Sequence, residues 1–149
     1  MSQILGIDPG KTGYLVSVDS DGIAWSTERA NLIPALIERQ DRFKKVYVER
    51  QFCMGIDGKK QIFTNAYGYG EIVGALMALQ IPFEIIGCKD WQKVMLRGHP
   101  KASGKALKQQ YTEVAERLWP SICFRGPKGG LRDGKAAAAL IAEYGRRCL

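Results

Sequence analysis

The chain has 149 residues, with 22 Lys and Arg against 15 Asp and Glu and a single His, a formal net charge of +7. That length suits one domain over residues 1–149, and an apolar fraction of 46% is too high for a disordered polymer. No apolar run approaches the roughly 20 residues of a membrane span, and the opening Met-Ser-Gln-Ile-Leu-Gly lacks the basic and long apolar regions of a signal peptide; the expectation is a soluble cytoplasmic chain whose basic excess favours a polyanionic partner, nucleic acid first.

Residues 4–7 form a short apolar run ending at Asp8-Pro9-Gly10, which reads as a buried strand and its turn. Residues 14–18 make a second strand, Asp19-Ser20-Asp21-Gly22 a hairpin turn and 23–26 a third strand. The same Asp-Ser-Asp-Gly opens like a calcium loop, but nothing after it continues the pattern. Leu32, Ile33, Leu36 and Ile37 recur at helical spacing, predicting a helix over 31–40. Residues 45–49, Lys-Val-Tyr-Val-Glu, alternate and are β-branched, a fourth strand. Residues 63–80 read as a helix dotted with Ala66, Gly68, Gly70, Gly74, Ala75 and Ala78, small enough to let another element approach closely. A fifth strand covers 83–86, and a helix over 105–119 is closed by Pro120. Residues 125–132 are a basic, Gly-rich loop, and Asp133, as N-cap, opens an Ala-rich helix to 147. The order β-β-β-α-β-α-β, then helices, predicts an α/β fold with a five-stranded mixed sheet flanked by helices.

Cys53, Cys88, Cys123 and Cys148 are scattered, with no C-x-x-C pair. A structural zinc site needs about four closely spaced ligands and is excluded; the cysteines read as reduced, buried apolar residues. The lone His99 sits in a Gly-His-Pro turn, a poor setting for a nucleophilic triad. Any chemistry therefore falls to carboxylates, which suit oxygen-bound hard metals.

Gly10-Lys11-Thr12 invites a phosphate-loop reading, but only three residues separate Gly6 from Gly10, and the segment leads into a strand rather than a helix. Asp8 is the better lead. A carboxylate at the end of a buried strand is expensive unless compensated, although an Asp that merely bonds turn amides would also fit. Glu49 ends its own strand in the same way. If the two strands are parallel neighbours, these acids lie within a few ångströms and repel unless a cation or proton intervenes. Asp133 offers a third acid, and three acids converging from distant segments suit two-metal phosphoryl transfer.

Gly6-Ile7-Asp8-Pro9-Gly10, Val48-Glu49-Arg50-Gln51-Phe52 and Asp133-Gly134-Lys135, with Ala139-Leu140-Ile141-Ala142-Glu143-Tyr144-Gly145 behind the last, resemble the RuvC-type Holliday junction resolvases of the ribonuclease H-like superfamily, especially their phage and prophage branch. The resemblance covers nearly the whole chain. It implies a homodimeric, Mg²⁺- or Mn²⁺-dependent endonuclease that nicks four-way DNA junctions, with no nucleotide cofactor. It implies Asp8, Glu49 and Asp133 as catalytic acids holding two ions per site. Phe52 matches an aromatic that stacks on bases, though a core phenylalanine would read the same way. Lys105, and Lys93 within Trp91-Gln92-Lys93, match basic residues near the scissile phosphate. One departure stands out. The family usually carries a fourth acid on the last helix, three or four residues after its first acid, and Ala137 fills the +4 position here. By engineered replacement or natural divergence, that implies a weakened second metal or lost cleavage.

Three other readings compete. Sugar kinases and actin-like ATPases share the first motif but need two such domains. A nuclease of the same fold could act on other DNA or on ribosomal RNA ends. A non-cleaving protein could bind junctions without cutting them.

Overall fold

Strands β1 (Gln3–Ile7), β2 (Tyr14–Asp19), β3 (Gly22–Glu28), β4 (Phe43–Glu49) and β5 (Phe83–Ile86) are rich in β-branched and aromatic residues, which favour a pleated surface. A computed structural model, describing every residue except Met1 and Cys53, joins them in one sheet of order β3-β2-β1-β4-β5. β1–β2 and β2–β3 are antiparallel, whereas β1–β4 and β4–β5 are parallel. The expected mixed sheet is therefore present.

Both faces of the sheet are covered. Successive side chains point to opposite faces, so Leu5, Ile7, Leu15, Val46 and Val48 pack with Leu36, Ile72 and Leu76 of α1 (Leu32–Arg39) and α2 (Lys59–Ala78). Ile4, Val16, Val18 and Tyr47 face the other layer, made by α3 (Cys88–Met95), α4 (Gly104–Leu118) and α5 (Asp133–Cys148). Double coverage is why β1 and the middle of β4 read as nearly continuous apolar runs.

Small residues set the depth of α5. A Cβ on Gly6 would collide with the backbone of Ala138 and Ala142, and one on Gly145 with the ring of Tyr47. At the other end, a Cβ on Gly134 would strike the carbonyl of Thr12. Alanine and glycine thus let the helix lie directly on β1 and β4, with its first residue, Asp133, beside the turn that follows β1.

The structure departs from expectation in four places. Helix α3 was not expected, because only Trp91 and Met95 of its eight residues, four apart, are buried. Helix α2 starts at Lys59, since Lys59-Lys60-Gln61 are good helix formers without an apolar stripe. Asp133 is the first helical residue rather than the N-cap; Arg132, at φ −104° and ψ 65°, holds that place. Cys88 is half-buried and Cys123 and Cys148 are exposed, so these three are free thiols rather than core residues, while Cys53 lies outside the described residues. The hairpin reading of Asp19–Gly22 holds: Asp19 accepts a 2.8 Å hydrogen bond from the amide of Asp21, which uses its carboxylate locally. No helix among the described residues is long and apolar enough to cross a membrane.

Candidate functional site

The parallel register sets Ile7 of β1 against Val48 of β4. The next residues, Asp8 and Glu49, therefore leave adjacent strand ends, about 4.8 Å apart. Because Ile7 and Val48 point into the α1–α2 layer, alternation sends Asp8 and Glu49 to the α5 side. The turn after β1 is tightly folded. Asp8 Oδ1 accepts a 3.1 Å hydrogen bond from the Gly10 amide, and the Gly13 amide donates to the Gly10 carbonyl at 2.9 Å. A Cβ on Gly13 would press on the Asp8 carbonyl, so that position needs glycine. The segment then enters β2, which rules out a phosphate loop here.

Glu49 is held from the opposite side. The indole Nε1 of fully buried Trp91 donates a 2.6 Å hydrogen bond to Glu49 Oε2. Trp91 packs on Tyr111 of α4 with ring centres 4.9 Å apart, and Gln92 Nε2 donates to the Tyr111 hydroxyl. Each acid thus commits one oxygen to a structural bond and leaves Asp8 Oδ2 or Glu49 Oε1 without a protein donor among the described residues.

Burial decides the electrostatics. It pushes the Asp8 carboxyl up to about 6; the Gly10 amide opposes the rise, Asp133 adds to it and Lys108 opposes it. Burial pushes Glu49 up to about 7, the nearby Asp8 charge adds to that, and the Trp91 hydrogen bond pulls it down. Two carboxyls held this high form a place where a cation is worth more than in water. Oxygen donors of this kind suit Mg²⁺ or Mn²⁺.

Asp133 is near but differently engaged. Its Oδ2 lies 3.6 Å from the ammonium of Lys108 on α4, and its charge is felt at Asp8. Among the described residues, no three His, Cys, Asp or Glu side chains stand close enough to hold a metal ion together. The expected trio thus resolves into a close pair, Asp8 and Glu49, with Asp133 at the rim. Ala137, one helical turn beyond Asp133, is buried in the apolar layer beneath α5. It falls between the Gly134 and Ala138 contacts, over the stretch of β1 that leads to Asp8.

The remaining expected residues separate. Phe52, three residues past Glu49, is 59% exposed, so the core alternative is removed. Lys105 lines a cleft with Lys108, Arg125 and Asp133. Lys93 lies in a different groove, between α3 and α4, with Lys89, Arg97 and Lys101 and no acidic side chain. The 125–132 loop is pinned by an Arg125–Leu131 bridge and by the Arg125–Glu116 ion pair at 2.7 Å.

Two residues escaped the sequence reading. Trp91, quoted in the sequence only within the Trp91-Gln92-Lys93 match, is the partner of Glu49, a role that nothing in the sequence signalled. Lys108 is the lysine nearest the acids, and nothing in a helix bearing Lys105 and Lys108 distinguishes the two.

A mixed sheet in this order, with acids at the ends of its two central strands and helices on both faces, is the ribonuclease H-like fold. Among solved structures, the chain is similar to that of Thermus thermophilus RuvC, with a TM-score of 0.67 at 18% identity over 98% of this chain and 96% of that one. The structure of T. thermophilus RuvC in complex with Holliday junction substrate is similar too, with a TM-score of 0.67 at 16% identity over 99% and 96% of the two chains. No protein-family model and no curated protein matches the sequence.

Proposed function

We propose that this chain is one RuvC-like nuclease domain that hydrolyses a phosphodiester in four-way or otherwise branched DNA, using Mg²⁺ or Mn²⁺ at Asp8 and Glu49 with Asp133 alongside. The observation that carries the reading is the pairing of Asp8 with Glu49 at neighbouring strand ends, in a fold shared over nearly the whole chain with a protein solved on a Holliday junction. The reading belongs to the phage and prophage branch through the motifs at Asp8, Glu49 and Asp133.

A divalent ion bound here supplies charge to the scissile phosphate and acidifies a water. The protein supplies the rest. The Gly10 amide and the Trp91 indole each hold one oxygen of an acid and leave the other for a ligand. Both acids must lose their protons before they serve as ligands. Phe52 stands exposed at the rim to stack on an unpaired base. Lys89, Lys93, Arg97 and Lys101 line a groove free of acids, suited to a DNA arm.

Resolution of a four-way junction needs two sites related by a two-fold axis. Helix α2 supports a dimer. Phe63, Tyr67 and Met77 are 70%, 66% and 64% exposed, and a Cβ on Gly70 or Gly74 would meet nothing within 4 Å. These five residues follow a 4-3-4-3 spacing, the seam of a close-packed helix pair.

The test is Mg²⁺-dependent nicking of a four-way junction beside a linear duplex of the same sequence. Paired symmetric nicks, abolished in Asp8→Asn, are expected. Indiscriminate cutting indicates another nuclease of this fold, and tight binding without nicks indicates a junction-binding protein.

A further inference from the structure

We propose that Lys108 is a built-in cation of this site, taking the place of a second metal ion, so that the chain works with one divalent ion per active site. The inference rests on the nuclease reading above but departs from the two ions that the resemblance implies.

Charge and placement carry it. Asp8, Glu49 and Asp133 bring three negative charges, and the Lys108 ammonium, 3.6 Å from Asp133 Oδ2, cancels one. Arg125, in the same cleft, is paired with Glu116, and Lys105 there makes no ion pair with these acids among the described residues, so the two charges that remain match a single divalent cation. A second ion would leave the site with excess positive charge, and the position from which a fourth acid would balance it is Ala137, buried among apolar neighbours. Asp133 faces an ammonium rather than the other acids, and no three acids among the described residues are grouped tightly enough to share an ion. What remains is a two-carboxylate seat for one ion, with the Lys108 ammonium held beside Asp133.

Lys108 is positioned rather than merely present. Tyr111 and Thr112, one turn later on α4, are buried, and Thr112 Oγ1 donates to the Lys108 carbonyl at 3.2 Å. The backbone of that turn is fixed while the side chain, 55% exposed, remains free to reach a ligand. Its field also extends to Asp8. An ion pair this exposed adds little stability; its value lies in an ammonium that turns from Asp133 to a phosphate oxygen. In the hydrolysis itself, a water oxygen forms the new bond to phosphorus and the bond from phosphorus to the 3′-oxygen breaks. The water's proton leaves to solvent and the 3′-oxygen takes one back. Lys108 keeps its proton throughout and contributes charge alone.

The test counts ions on the free protein by the electron paramagnetic resonance of unbound Mn²⁺ at pH 8. One Mn²⁺ per wild-type chain is expected, and two in the double variant Lys108→Met with Ala137→Glu. In parallel, Lys108→Met alone should lose about 100-fold in junction nicking at saturating Mn²⁺ with junction affinity and melting temperature retained, and Lys108→Arg should recover most of the rate. Two ions on the wild-type chain, or an unchanged rate in Lys108→Met, overturn the inference. If two ions bind and junctions are still nicked, the nuclease reading survives without it; if no Mn²⁺ binds, both fall.

Discussion

Trp91 Nε1 lies 2.6 Å from Glu49 Oε2, and this hydrogen bond ties α3 to the end of a central strand. The bond lowers the pKa of a carboxyl that burial and Asp8 raise. Replacing Trp91 by Phe keeps most of the buried ring and removes the donor. The pKa of Glu49 then climbs further above about 7, and the acid limb of the cleavage profile moves to higher pH. Hydrogen bonds to charged groups contribute about 1.5–3 kcal/mol, so the limb should move by about one to two pH units. Trp91→Phe should be roughly tenfold slower at pH 7 and close to wild type at pH 9. A uniform loss at every pH would mean a packing defect instead.

Stability should run against pH in this chain. Asp8 and Glu49 titrate near 6 and 7 when folded, above their ordinary values of 3.8 and 4.5. Between about pH 4 and 7 the folded state therefore holds protons that the unfolded chain has released, and stability falls as pH rises through that window. With chelator present, the melting temperature should rise on going from pH 8 to 5.5, by an amount corresponding to about 1–2 kcal/mol per acid after allowance for partial exposure. Asp8→Asn should be more stable than wild type at pH 8. Mg²⁺ should raise the wild-type melting temperature at pH 8 and leave that of Asp8→Asn nearly unchanged.

Ala137→Glu places a carboxyl in the apolar layer beneath α5, one helical turn from Asp133. Without metal it should destabilise the fold by about 1–3 kcal/mol, and Mg²⁺ should restore much of that loss. With metal it should nick junctions faster than the parent chain. A variant no faster under saturating Mg²⁺ would show that the missing acid does not limit the rate.

Phe52 is largely solvent-exposed, so Phe52→Ala should melt like wild type. Stacking is worth about 1–3 kcal/mol per base, so junction affinity should fall by about 5–150-fold. Linear duplex, which offers no unpaired base, should bind almost as before. Equal losses on both substrates would assign Phe52 to general contact.

Two glycines should respond in opposite ways. Gly6→Ala drives a methyl into the backbone of Ala138 and Ala142 and should cost about 3 kcal/mol, read from urea unfolding. Gly74 has open space around it, so Gly74→Leu should leave the folded chain intact while converting dimer to monomer in sedimentation. Retention of the dimer would move the interface elsewhere.

The strands, the turn after β1 and the three acids were legible in the sequence by itself. Buried strands need apolar runs, tight turns need glycine, and a carboxylate at such a strand end stands out against its apolar neighbours. The parallel pairing of β1 with β4 was stated there only as a condition for Asp8 and Glu49 to meet. Tertiary structure alone decided that register, which brings together acids 41 positions apart. It also removed Phe52 from the core, separated Lys93 from Lys105, and gave Glu49 its Trp91 partner and Asp133 its Lys108. The physical reason is the same in each case. Periodicity records which face of an element is buried, but a polar contact between two elements depends on how they pack, and the close seat of α5 on the sheet, through Gly6 of β1 and its own Gly145 against Tyr47, leaves no periodic trace.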